Sequence, residues 1–239
     1  MKTWTTSDGT KITRVLGGRS NVFLISRNYR NILVDTSPAF MRGKLNARLK
    51  KLNVSKIDLL ILTHAHFDHA ENAYWIKNKF NALVGIHKSE ATYLALGETE
   101  LPGGTNLFSG FLVRFISRFI KSPGRYQSCD SDLLFDEYFS LVEFGFNAFV
   151  LHTPGHTEGS VSVIVDNEIA LVGDSMFGVF RGSVFPPFAC DVKKMVESWG
   201  KLLETGCSLF IPSHGSANSR ELLDREYRRK SLQLKTGIT

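Results

Sequence analysis

Cysteine is scarce in this chain. Cys129, Cys190 and Cys207 are odd in number, widely spaced and without a C-x-x-C pair, so neither a disulfide framework nor a thiolate zinc site is expected. A reducing compartment fits, and the chain reads as cytoplasmic. Long apolar runs are missing too. No stretch of about 18 apolar residues is available to span a bilayer, and residues 1–8 lack the apolar core of a signal peptide. The chain shows no repeat and no low-complexity tract. The 43% apolar and 22% charged content is that of an ordinary globular protein, and 239 residues suffice for one domain with a large core. A single domain over 1–239 is the expectation. Charge of one sign is only mildly in excess: 29 Lys plus Arg against 23 Asp plus Glu leave +6. Without a basic run interleaved with aromatics, nucleic acid is not indicated and a small-molecule substrate is expected.

What the chain does have is a dense set of metal donors. His64-Ala65-His66-Phe67-Asp68-His69 places three imidazoles and a carboxylate within six residues. Neutral imidazole suits zinc, copper, iron and nickel, and carboxylate extends the range to harder ions. The apolar run 57–62 precedes the cluster and a helix-type segment, 71–80, follows it. The donors therefore fall on a strand-to-helix turn, where several side chains can be aimed at one point.

Further donors arrive at other strand ends. Short β-type runs at 22–26 and 31–34 flank a polar turn, and the second ends at Asp35. A basic helix over 43–52 then leads to the strand before the cluster. A strand over 82–86 ends at His87, which has no second donor nearby and reads as a strand-end hydrogen-bonding group. A β-type stretch over 144–151 ends at His152-Thr153-Pro154-Gly155-His156, where Pro154-Gly155 forces a tight turn. Runs at 161–165 and 169–172 form a hairpin across Asp166-Asn167 and return to Asp174. A helix over 192–203 and a strand over 209–211 lead to His214, and a charged helix over 220–235 closes the chain.

Residues 97–136 do not alternate as a sheet would and read as a helical insertion. Within it Phe108, Phe111, Leu112, Phe115, Ile116, Phe119 and Ile120 recur at helical spacing, opposite Arg114, Arg118 and Lys121. Helix 107–121 would pack on the core, act as a lid or homodimer contact, or lie on a membrane surface.

Six donors and one shared carboxylate can be divided between two metal ions. Coordination lowers the pKa of water from 15.7 towards about 7, so a hydroxide held between two ions is available near neutral pH. That is hydrolysis without a Ser or Cys nucleophile.

Asp35, the His cluster, Thr-Pro-Gly-His156, Gly-Asp174 and Ser-His214 together resemble the metallo-β-lactamase-fold hydrolase superfamily, over about residues 22–215. The resemblance implies an α+β fold, a four-layer αββα sandwich of two mixed β-sheets flanked by helices. It implies two Zn2+, with Fe or Mn also compatible with the donors: His64, His66 and His156 on one ion, Asp68, His69 and His214 on the other, and Asp174 bridging. Asp68 would also orient the nucleophile as a catalytic residue, and Asp35 would orient the cluster without being a ligand. Taken alone, Asp35 reads equally well as a strand-end cap. Asp174 resembles the bridging position of the glyoxalase II, lactonase and phosphodiesterase branches. True β-lactamases lack it, so antibiotic hydrolysis is not expected. Ser175-Met176-Phe177 stands where acyl-homoserine lactonases place a Tyr. The expected activity is a zinc-dependent hydrolase of a small ester, thioester or lactone. A phosphodiesterase or nuclease, a mononuclear iron sulfur dioxygenase and a non-catalytic regulatory relative are the alternatives. Phe177, Phe180 and Arg181 are candidate pocket residues, the rings for an apolar acyl group and the guanidinium for an anion.

Overall fold

The structure, a computed structural model, describes residues 1–99 and 124–236. Two mixed sheets carry the fold. The first begins with an antiparallel meander: β1 (Lys2–Thr5), β2 (Lys11–Leu16), β3 (Val22–Arg27) and β4 (Arg30–Val34). Asn28 and Tyr29 join β3 to β4 at φ +47° and +65°, the two left-handed residues that match the twist of a tight hairpin. After β4 the chain crosses through α1 (Arg42–Lys51) to β5 (Leu59–Ile61), which pairs with β4 in parallel. A short helical turn, α2 (Phe67–Ala70), and α3 (Ala73–Phe80) lead to β6 (Leu83–His87), parallel to β5. Helix α4 (Ala91–Leu96) follows.

The sheet then resumes earlier than the sequence suggests. Strand β7 (Leu133–Phe135) pairs in parallel with β6, so the expected insertion 97–136 ends too late. Its proposed helix 107–121 lies outside the described residues. The second sheet holds β8 (Tyr138–Ser140), β9 (Ala148–His152), β10 (Val161–Val165), β11 (Ile169–Leu171), β12 (Leu209–Ile211) and β13 (Asn218–Ser219). Its order is β13-β12-β11-β10-β9-β8, parallel only between β11 and β12. The expected strand over 144–151 starts late because Val142–Phe144 forms a 3-10 turn and Gly145 is left-handed at φ +88°. Helix α5 (Val192–Glu204) and helix α6 (Arg220–Thr236) complete the fold.

Three apolar layers explain why these elements stack. Leu45, Leu49, Ala73 and Ile76 from the first helices pack on Leu24, Leu33, Leu60 and Val84 of the first sheet. Alternate residues of the same strands, Ile25, Ile32, Val34, Leu59 and Ile61, face Val150, Val161, Val163 and Leu171 of the second sheet. On that sheet's far side Ile164, Ala170 and Phe210 meet Met195, Trp199 and Leu202 of α5. Period-two alternation thus gives each sheet two apolar faces, and the layers run helix, sheet, sheet, helix. Among the described residues no helix is long and apolar enough to cross a membrane.

Candidate metal centre

Strands β4 and β5 of the first sheet and β9, β11 and β12 of the second all deliver polar side chains to one rim. His64, His66, Asp68 and His69 come from the turn after β5. His156, Asp174 and His214 come from the turns after β9, β11 and β12. Backbone geometry aims them. Gly155 sits at φ +134°, and a Cβ there would stand 2.3 Å from the Met195 amide nitrogen, so only glycine lets the His156 turn rest on α5.

His69, His156 and His64 are each oriented by their other ring nitrogen. His69 Nδ1 lies 2.8 Å from Asp35 Oδ2, which leaves Nε2 aimed at Asp68 and Asp174, 3.5 and 3.7 Å away. His156 Nδ1 donates to the Phe188 carbonyl at 2.9 Å and turns Nε2 inward. His64 Nδ1 rests 3.1 Å from Thr63 Oγ1. His64 Nε2 and His156 Nε2 then approach His66 Nδ1 to 2.9 and 3.1 Å. Asp174 Oδ2 reaches both sides of the site, 3.6 Å from His156 Nε2 and 3.3 Å from His214 Nε2. His214 Nε2 also lies 3.4 Å from Asp68 Oδ2.

This is a donor set in search of a cation. His64, His66 and His156 form one group whose ligand atoms all lie within 4.8 Å of one another, and Asp68, His69 and His214 form another. A third grouping joins Asp174 to His64 and His69. The buried atoms His66 Nε2, His69 Nε2 and Asp174 Oδ1 have no hydrogen-bond partner, an arrangement that costs free energy unless something satisfies it. Three converging ring nitrogens cannot satisfy one another by sharing a single proton. A divalent ion fits the chemistry of these residues.

Charge divides the site into unlike halves. Burial, then the neighbouring rings of His69 and His66, push His64 well below the usual histidine range. Burial and His156 bring His66 down to about 3, and burial also lowers His156. In the other half burial opposes charge too, but the carboxylates outweigh it. Asp68, Asp35 and Asp174 raise His69 to about 9, and Asp174 and Asp68 raise His214 to about 11. Against the effect of burial, His69 and His214 hold Asp68 down to about 2. Asp174 is likewise held well below the carboxylate range by His214, His69 and His156.

The donors open into a cleft of about 420 Å3. Its walls are largely aromatic: Phe40, Phe67, Phe177 and Phe188, with the Phe177 ring 4.7 Å from that of His214. Phe180 and Arg181, expected in this pocket, are placed elsewhere: neither lines it, and Phe180 is 58% exposed. The Val179–Arg181 turn faces solvent instead. Arg19 lines the cleft in place of Arg181.

Other residues that shape the site carry no mark in the local sequence. Glu90 is buried and accepts from the Ala65 amide at 2.9 Å and the Gly159 amide at 3.2 Å, tying the His64–His66 turn to the His156 loop. Asn21 Nδ2 donates to the Pro212 and Gly215 carbonyls at 2.8 and 3.1 Å, clamping the turn that carries His214. Asp35 accepts from the Thr63 amide at 2.9 Å and Ser213 Oγ at 3.1 Å besides facing His69. His87, by contrast, is outside the donor groups. Its Nδ1 lies 2.9 Å from Ser89 Oγ, and its ring stacks on His152 at 4.1 Å.

A family profile described as the metallo-beta-lactamase superfamily matches residues 15–214. The chain belongs to that superfamily. A probable metallo-hydrolase of Methanocaldococcus jannaschii is 28% identical over 85% of this chain and 91% of its own length. A Homo sapiens protein named as an acyl-coenzyme A thioesterase is 28% identical over 67% of this chain and 60% of its own length. A hydroxyacylglutathione hydrolase of Haemophilus influenzae is 26% identical, covering 70% and 71%. Among solved structures, a Cronobacter sakazakii metallo-beta-lactamase superposes with a TM-score of 0.68 at 14% identity, over 100% of this chain and 94% of that one. An archaeal superfamily protein from Sulfolobus tokodaii gives 0.64 at 20%, over 92% and 85%. These structures speak for the shared fold.

Proposed function

We propose that the protein is a zinc-dependent hydrolase of a small ester or thioester carrying an apolar acyl group. The observation that carries this reading is the convergence of seven donors at the base of one aromatic cleft, with two of the converging atoms, His69 Nε2 and Asp174 Oδ1, left unpartnered. His64, His66 and His156 would hold one ion and Asp68, His69 and His214 a second, with Asp174 as the carboxylate they would share. When bound, two divalent ions provide hydroxide near neutral pH and polarise a carbonyl oxygen.

The protein groups do the rest. Asp68 is ionised and its side chain is 20% exposed in the cleft; it accepts a hydrogen bond from the nucleophile and orients it toward the carbonyl carbon. The contacts of Asp35, Thr63 and the Phe188 carbonyl keep the ring nitrogens of His69, His64 and His156 in a fixed orientation. Phe40, Phe67, Phe177 and Phe188 bind the acyl chain and exclude water from it. Relatives named as an acyl-coenzyme A thioesterase and a hydroxyacylglutathione hydrolase favour acyl transfer to water over phosphodiester cleavage. The test is metal analysis with a panel of acyl esters, thioesters, lactones and phosphodiesters. About two zinc per chain and turnover of acyl substrates are expected. A zinc-loaded protein inert on every acyl substrate, or one holding a single iron and consuming oxygen, would overturn the proposal.

A further inference from the structure

The cleft continues past its aromatic wall. Beyond Gly18 it adjoins a second, open pocket of about 600 Å3 whose side chains are of a different kind. Gly18 lines both pockets, and the consecutive residues His214 and Gly215 line one each. The second pocket carries Lys2, Arg14 and Arg48 and no carboxylate.

This concentration of charge goes against local sheet energetics. Lys2 and Arg14 stand directly opposite each other in the β1–β2 ladder, and like charges so paired repel. Nothing nearby neutralises them: among the described residues none of the three cations forms an ion pair. They are nevertheless held in place. Arg48 Nη1 donates to the Val15 carbonyl at 2.6 Å, and the Lys2 ammonium sits 4.9 Å from the centre of the Trp4 ring. Arg14 is half-buried beside them, and Arg19 extends the positive surface onto the cleft side of Gly18. A local rule broken without a structural gain marks a functional position.

We propose that Lys2, Arg14 and Arg48 bind a phosphate-bearing leaving group, the thiol half of a substrate whose acyl half fills the aromatic cleft. This rests on the thioester reading above and narrows it to phosphorylated thioesters. Guanidinium forks match phosphate oxygens in geometry as well as in charge. Hydrolysis balances as addition of water across the acyl–sulfur bond. The carbonyl carbon gains the hydroxyl, the carbon–sulfur bond breaks, sulfur takes the proton, and the phosphorylated thiol departs over the basic pocket.

The test compares octanoyl-4′-phosphopantetheine with octanoyl-pantetheine, the same thioester with and without its phosphate, on the metal-loaded protein. Wild type is expected to prefer the phosphorylated substrate by about tenfold or more in kcat/KM, chiefly through KM, and the preference should fall with added salt. Arg14→Glu, and independently Lys2→Glu on the exposed edge strand, should collapse that preference. Equal rates on the two substrates, or a preference that survives both reversals, would overturn the proposal. A calorimetric titration with adenosine 3′,5′-bisphosphate decides the pocket separately: binding about tenfold weaker in Arg14→Glu supports it, and unchanged binding rejects it. If neither thioester is turned over, the hydrolase reading fails while the titration still judges the basic pocket.

Discussion

Replacing Asp35 by Asn asks whether one buried carboxylate sets the ring state of His69. Asp35 is fully buried, and its φ of +61° lies in the left-handed region that Asn tolerates as well as Asp does. The backbone is therefore not disturbed by the change. An amide keeps one acceptor oxygen, enough for the Thr63 amide at 2.9 Å, and turns the other atom into a donor. That donor faces His69 Nδ1, 2.8 Å away in the wild type. The ring must then shift its proton to Nε2, the atom aimed at Asp68 and Asp174, and the site loses a lone pair. Losing a charge-assisted hydrogen bond in the interior costs about 1.5–3 kcal/mol, which for a chain of this size lowers Tm by about 3–12 °C. Metal affinity of the Asp68, His69 and His214 group should drop about 10–100-fold, as it does when a histidine's outer partner is lost. Chelator competition on the zinc-loaded protein reads the affinity, and long-range 1H–15N spectra of the imidazoles read which nitrogen carries the proton. The expected result is one tight equivalent retained and one weakened, with His69 protonated on Nε2. Two equivalents of unaltered affinity, with His69 still protonated on Nδ1, would reduce Asp35 to a strand-end cap.

Other consequences can be checked separately. At pH 7 the metal-free protein holds His69, raised to about 9, and His214, raised to about 11, as cations. Metal uptake must therefore release about two protons, all from that half of the site; calorimetry in buffers of different ionisation heat measures this, and release of less than one proton refutes it. The signs also fix where metal-free protein is most stable. The lowered pKa values of His64, His66 and His156 remove stability as pH falls below about 6.5, and the raised values of His69 and His214 remove it progressively as pH rises from about 6.5, the loss being complete above about 9 and about 11 respectively. Tm of the metal-free protein should peak at about pH 6.5, where the two limbs meet, and a monotonic rise with pH would contradict the assignment. Glu90→Ala frees the Ala65 and Gly159 amides at once. It should cost about 2–4 kcal/mol in urea unfolding and weaken metal held by His64, His66 and His156, whereas a loss of stability with unchanged metal affinity would confine Glu90 to packing. Asp174→Asn should lower bound metal from about two ions towards one and abolish acyl hydrolysis; full metal content with full activity would sink the shared-ligand reading.

The rim of this fold was legible because turn chemistry and ligand chemistry coincide there. Apolar runs as short as Leu59–Ile61 and Leu209–Ile211 are recognisable when a polar donor follows immediately. Strands β1 and β2 carry no such mark. Lys2–Thr5 is polar and largely exposed, and its only marker is the Asp8-Gly9 turn, with Gly9 at φ +83°. Strand β7, Leu133–Phe135, falls inside the expected insertion because three apolar residues alone favour neither helix nor strand. Phe180 and Arg181 were expected in the pocket from their nearness to Asp174 in sequence, and a solvent-facing turn carries them away. Glu90, Thr63 and Asn21 were not singled out because their partners lie elsewhere in the chain. Asn21 is clamped to Pro212, 191 residues away, and no local pattern encodes that contact.

Those distant contacts explain how a site split between two sheets can be ready for a cation. The first sheet contributes the four donors of the His64–His69 turn, and the second contributes His156, Asp174 and His214. Apolar packing between the sheets sets their separation but is non-directional, and it cannot by itself bring ring nitrogens within about 3 Å of one another. Directional bonds across the seam do so. Asp35 on the first sheet accepts from Ser213 on the second, Asn21 holds the Pro212–Gly215 turn, and Glu90 ties Ala65 to Gly159. All three cross between the sheets, and all three end within two residues of a metal donor on the second sheet or on the cluster itself, except at Gly159, three residues past His156. The protein thus spends buried polar groups on alignment, and a bound ion finds its ligands already converged rather than having to draw two sheets together.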